Sequence, residues 1–164
     1  MRLGRCPRSL DAVGRVITTN LTGALISARR AVTEMTHQGG GRIWMTEGLG
    51  SGPVPVMAGT IAYSASKAGL TRASQVIAAE CRRTPVEISL MRPAIMPTGL
   101  TAKSVPDDQS DQWSGRVVRL LSAQPDEVAE AFAPRILRAR GRLRRLNWAS
   151  PRHLAGHLLR MPMS

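Results

Sequence analysis

The chain has 164 residues, 43% of them apolar and 21% charged, which is enough apolar material for one core and excludes a small disulfide scaffold. Lys and Arg total 23 against 11 acids, a formal +12, yet Lys67 and Lys103 are the only lysines, so the excess reads as a preference for arginine more than as a built phosphate-binding surface. Cys6 and Cys81 lie far apart with no histidine at zinc-ligand spacing, so neither a metal site nor a disulfide framework is indicated, and no run approaches a membrane span or the apolar stretch of a secretory signal.

From Leu10 to about His37 the apolar residues Val13, Val16, Ile17, Leu21, Ala24, Leu25, Ala28, Val32 and Met35 recur at three- and four-residue steps, predicting an amphipathic helix. Gln38-Gly39-Gly40-Gly41 stops it, and Arg42 to Thr46 reads as a short strand. Gly48 to Gly59 is a loop rich in glycine and proline; helical spacing resumes from Thr60 to about Arg83, and Val86 to Met91 is the next strand. Pro93 and Pro97 lack ladder N–H groups, so residues 92–98 are a loop at that strand's carboxyl end. A polar stretch with Asp107, Asp108 and Asp111 leads to a short helix near Val117 to Leu121. Pro125, Asp126 and Glu127 open a longer helix running to about Arg140 with a kink at Pro134, followed by a strand at Leu146 to Ala149 and a final helix capped by Ser150. Strands alternating with helices predict a parallel sheet whose ligands sit in the loops at strand carboxyl ends.

The only tyrosine, Tyr63, stands four residues before Lys67 near the start of a helix, so both project from one face, about 5–6 Å apart at their Cβ atoms. An ammonium there favours the phenolate, and a tyrosine whose pKa is drawn down towards neutrality can give and take a proton in carbonyl/alcohol interconversion. The spacing alone is equally compatible with an ordinary surface helix.

Tyr63-Ser64-Ala65-Ser66-Lys67-Ala68-Gly69-Leu70, preceded by Gly41-Arg42-Ile43 and followed by Arg92-Pro93-Ala94-Ile95-Met96-Pro97-Thr98, closely resembles the short-chain dehydrogenase/reductase family. The resemblance implies that Tyr63 is the acid/base and that Lys67 also binds the nicotinamide ribose. It implies that Asn20, in Asn20-Leu21-Thr22-Gly23, holds a water of the proton relay, and that Pro93, Met96 and Thr98 meet the nicotinamide amide of NADP or NAD. Met45 to Gly52, Ala79 to Thr84, Pro125 to Ala129 and Leu146 to Arg152 look like the chlorophyll(ide) b reductase branch, whose substrate is the formyl group of chlorophyll b.

Two features depart from that pattern. The family has a serine about thirteen residues before its tyrosine, where this chain has Gly50; Ser51 is the nearest hydroxyl and is the candidate to polarise the substrate carbonyl, against the plainer reading of a loop serine. No glycine-rich G-x-x-x-G-x-G turn follows a strand, and the three strand-helix units and fourth strand that would carry it, about 70–90 residues, are missing. The expected fold is the C-terminal part of a Rossmann-like, doubly wound parallel sheet with helices on both faces, as one partial domain over residues 1–164. Its first strand would be an unpaired, apolar edge.

The expected activity is NAD(P)H-dependent reduction of a small-molecule carbonyl by a homodimer or homotetramer in the cytoplasm, with a plastid or a membrane surface as the plant-like alternative. The competing reading is a catalytically inactive remnant acting by dimerisation, or by binding an anionic surface through the eight arginines between Arg135 and Arg160. Nucleic acid is disfavoured, because aromatic residues for stacking are absent there apart from Trp148.

Overall fold

A computed structural model of the chain describes residues 9–52, 59–96 and 121–150. The chain divides into two compact units, Met1–Met91 with Arg140–Arg145, and Arg92–Ala139 with Leu146–Ser164.

In the first unit, helix α1 (Leu10–Ile17) starts where Ser9 Oγ accepts the Ala12 N–H at 3.2 Å, satisfying a donor that the first turn cannot. The expected single helix then loosens into one π-helical segment, Thr18–Gly23, before continuing as α2 (Ala24–His37). The glycine stop works as expected: Gly39 and Gly40 have φ of 93° and 140°, and the Gly40 N–H donates to the Met35 carbonyl at 2.7 Å.

Strand β1 (Gly41–Thr46) leads through the glycine-rich loop to α3 (Ile61–Glu80), whose last turn tightens to a 3₁₀ turn, Cys81–Arg83, before β2 (Val86–Arg92). β1 and β2 are parallel, with Gly41 opposite Val86 and Thr46 opposite Met91. Among the described residues the three strands lie in the order β1-β2-β3, where β3 is Arg145–Asn147. Within the first unit Leu143 N–H donates to Ile88 O and Leu90 N–H to Arg144 O, both at 2.8 Å.

Alternation along the strands sorts the side chains. Ile43 and Met45 turn to the helices and join Val86, Ile88 and Leu90 in a core with Ala28, Leu70 and Ala78. On the opposite face Arg42 pairs with Glu87, donates to Ser89 Oγ at 2.9 Å and lies 5.8 Å from the Trp44 ring centre.

In the second unit, Ile95 forms a parallel bridge with Ser122, and α4 (Pro125–Arg138) opens on a full capping box between Gln124 and Glu127. Pro125 occupies the first turn as predicted, and Pro134 lies inside the helix. Phe132 and Trp148 are buried with ring centroids 6.4 Å apart, so Trp148 serves packing. Strand β3 begins one residue earlier and ends two earlier than expected. The expected helices near Val117 to Leu121 and after Ser150 lie wholly or almost wholly outside the described residues.

Candidate active site

The loop after β1 places the tyrosine. At Gly48 a Cβ would stand 2.6 Å from Tyr63 Oη and 3.2 Å from Lys67 Cγ, so the phenol tip rests directly on loop backbone. Two residues on, Gly50 has φ of 91°, and a Cβ there would collide with the Ser64 carbonyl. Glycine is therefore required at Gly50 for both its conformation and its closeness to α3.

One turn along α3 from Tyr63, the Lys67 ammonium sits 5.8 Å from the tyrosine ring centre and donates to the Thr46 carbonyl at 3.0 Å, at the carboxyl end of β1. Asn20 lies in the π-helical segment, a departure from α geometry that is frequent at functional sites. Its Nδ2 donates to Ser66 Oγ at 3.4 Å, and the fully buried Ser66 hydroxyl donates to the Tyr63 carbonyl at 2.7 Å. The chain from Asn20 through Ser66 thus fixes the first turn of α3 from the side of the first helix.

Behind Lys67, the Thr71 hydroxyl lies 3.0 Å from both the Lys67 carbonyl and Glu47 Oε1, and Arg145 donates to the same Glu47 oxygen at 3.2 Å. A buried carboxylate is tolerated there because a cation and a hydroxyl face it.

Burial pushes the Tyr63 hydroxyl pKa up and the Lys67 ammonium pKa down. For Tyr63 this corrects the expectation of a pKa drawn down by lysine. The ammonium lies 5.8 Å from the ring centre and is held by Thr46, while half-burial of the phenol disfavours its charged form more strongly.

Asn20, Ser51, Tyr63 and Lys67 all belong to the first unit. Ser51 is buried; its hydroxyl accepts the Gly48 N–H at 3.2 Å and donates to the Lys67 carbonyl at 3.1 Å, so it clasps loop to helix. The residue that faces the phenol is Gly48, not the position thirteen before it. Counting forward from the end of β1 would have found it; counting back from Tyr63 did not. Ser66 was also legible, three residues after Tyr63 on the same helical face. Pro93 and Met96 belong to the second unit, and Thr98 lies outside the described residues. Among the described residues no group of three His, Cys, Asp or Glu could hold a metal, and no helix is long and apolar enough to cross a membrane.

The family model described as short chain dehydrogenase matches residues 8–109, a span that holds Asn20, Ser51, Tyr63 and Lys67. The chain belongs to the short-chain dehydrogenase family. It is 27% identical over 144 residues to the probable chlorophyll(ide) b reductase NYC1, chloroplastic, of Oryza sativa subsp. japonica, covering 86% of this chain and 27% of that protein. It is 31% identical over 118 residues to carbonyl reductase family member 4 of Danio rerio, covering 71% of this chain and 46% of the relative. The chain therefore spans less than half the length of either relative.

Solved structures share the fold. An F189W actinorhodin polyketide ketoreductase with NADPH superposes with a TM-score of 0.66 at 24% identity, over 85% of this chain and 58% of that one. Acetoin dehydrogenase from Enterobacter cloacae gives 0.62 at 19% identity, over 98% and 62%.

Proposed function

We propose that this chain carries the acid–base half of a nicotinamide-dependent carbonyl reductase, with Tyr63 as proton donor and Lys67 as the cation that stabilises the phenolate left behind. One observation carries the reading: the only tyrosine is half-buried with a lysine ammonium 5.8 Å from its ring centre. A protonated phenol at neutral pH suits reduction, where the developing alkoxide must receive a proton.

Lys67 fits one part of the nicotinamide cofactor. An ammonium has three donors, and Thr46 takes one, which leaves two for a ribose diol in the cleft that Lys67 lines together with Thr19 and Asn20. Pro93, Met96 and Thr98 are the proposed contacts to the nicotinamide amide. A reduced nicotinamide whose ribose was held by Lys67 would supply the hydride for the carbonyl carbon. Tyr63 gives its hydroxyl proton to the carbonyl oxygen, and solvent returns a proton to the phenolate by way of Asn20 and a water. Ser51, occupied with backbone groups, positions the loop; Gly48 gives the phenol room at its tip.

The name of the rice relative favours chlorophyll(ide) b as substrate, with its formyl group as the aldehyde reduced, and a plastid as the place of action; the reductant proposed is NADPH. The assembly proposed is a homodimer or homotetramer.

Purified chain mixed with NADPH and chlorophyll b, or a simple aromatic aldehyde, tests the reading by the loss of NADPH absorbance. The expected result is aldehyde-dependent oxidation of NADPH that falls by about 10²–10⁴ in Tyr63→Phe, the usual contribution of a positioned acid. Equal rates for wild type and Tyr63→Phe would overturn it.

A further inference from the structure

Along β1 alternate side chains turn to the helices: Ile43 and Met45 join the core, and the next position of that parity holds Glu47. The ladder still includes it, since the Glu47 N–H donates to the Met91 carbonyl at 2.7 Å. A carboxylate therefore stands where the pattern calls for an apolar side chain, in a residue only 2% exposed. A buried ion pair stabilises a fold no better than apolar residues of similar volume, so stability alone does not account for Glu47.

Its neighbours supply the account. Thr46, Glu47 and Gly48 are consecutive at the exit of β1, and each meets a residue of α3. The Thr46 carbonyl accepts from the Lys67 ammonium at 3.0 Å, Gly48 lies against the Tyr63 hydroxyl, and Glu47 Oε1 lies 3.0 Å from the Thr71 hydroxyl. Tyr63, Lys67 and Thr71 follow one another at steps of four, so they share one face of the helix. The Thr71 hydroxyl has one proton for two acceptors at 3.0 Å, Glu47 and the Lys67 carbonyl, and the charged oxygen is the stronger. Glu47 is also held from the sheet, where Arg145 at the start of β3 donates to the same oxygen at 3.2 Å.

We propose that Glu47 is a positioning residue for the Tyr63–Lys67 pair. Clamped between Thr71 and Arg145, its carboxylate fixes the exit of β1 in register with α3. That register keeps the Thr46 carbonyl on the ammonium and the Gly48 backbone over the phenol. An apolar side chain could fill the same space, but apolar contact is non-directional and would not set the register. The proposal rests on the acid–base reading of the pair, and Glu47 itself touches no reacting atom.

The absorbance of the single tyrosine tests it in the full chain, with no cofactor or substrate, while circular dichroism follows the fold over the same pH range. Releasing the loop hydrates the phenol and frees the ammonium to approach it, and both changes favour the phenolate. Glu47→Met should raise the phenolate-to-phenol ratio at the wild-type midpoint about threefold or more, with a thermal midpoint close to that of wild type. Loss of the carboxylate's own charge would act in the same direction, so Thr71→Val, which changes no charge, is the deciding variant. It should raise the ratio about twofold or more, and Thr71→Ser, which keeps the hydroxyl, should leave it at the wild-type value. A ratio that moves in Glu47→Met and not in Thr71→Val would overturn the proposal by assigning a direct charge effect. A ratio that moves in neither, whatever happens to the thermal midpoint, would overturn it by leaving Glu47 a merely structural role. If Glu47→Met does not fold, the two Thr71 variants still decide. A wild-type chain inactive towards aldehydes would defeat the catalytic reading of the pair, and the titration would still decide what Glu47 holds in place.

Discussion

Tyr63 is raised by burial while Lys67, one helical turn away, is lowered, so each group is shifted away from its charged form. For stability the two oppose each other. The Tyr63 contribution is complete below the unfolded tyrosine value near 10 and is lost as pH rises through the folded value; the Lys67 contribution is present above the unfolded lysine value and is lost as pH falls through the folded one. A spectroscopic titration separates them, because the chain has a single tyrosine and phenolate absorbance reports that residue alone. Its midpoint should lie above the ordinary tyrosine value, and Lys67→Met should move it higher still by removing the nearby cation. A midpoint at or below the ordinary value would show that the ammonium outweighs burial. The sequence placed both residues on one face correctly, since helical spacing fixes that. It could not give the sign of the shift, which depends on how deeply the phenol is packed against Gly48 and α3.

Elements, too, were mostly legible. The helix stop at Gly39 and Gly40, the strand at Val86 and the proline-led α4 follow from local chemistry and appear where expected, and the strand expected from Arg42 begins one residue earlier. The π-helical segment was not legible, because apolar spacing alone does not mark one surplus residue in an otherwise regular helix. The loop between β1 and α3 was read as irregular, but its placement rests on one residue with two constraints. Gly50→Ala would strain a φ of 91° and drive a methyl group into the Ser64 carbonyl. The conformational part alone costs about 1–2 kcal/mol. Chemical denaturation should show at least that loss of stability, together with a changed Tyr63 environment; an unchanged midpoint would mean that the loop does not anchor α3.

At the scale of the whole chain, +12 formal charges repel one another, and several arginines offset this locally. Arg42 pairs with Glu87, Arg145 with Glu47, and Arg142 donates to the Cys81 and Thr84 carbonyls at 2.5 and 2.7 Å, at the end of α3. Arg142 and Arg145, two of the eight arginines from Arg135 to Arg160, are thus used within the fold. Added neutral salt should therefore raise the thermal midpoint by a few degrees, as screening relieves net repulsion more than it weakens the partly buried pairs. A midpoint that falls with salt would mean that the internal pairs dominate.

The π-helical turn at Thr18–Gly23 holds one residue more than an α-helix would need there. Each residue turns a helix by about 100°, so that surplus residue sets which way Asn20 faces relative to α2. In genetic terms, the contact between Asn20 and Ser66 can be gained or lost by a single codon of helix length, with every side chain around Tyr63 left as it is.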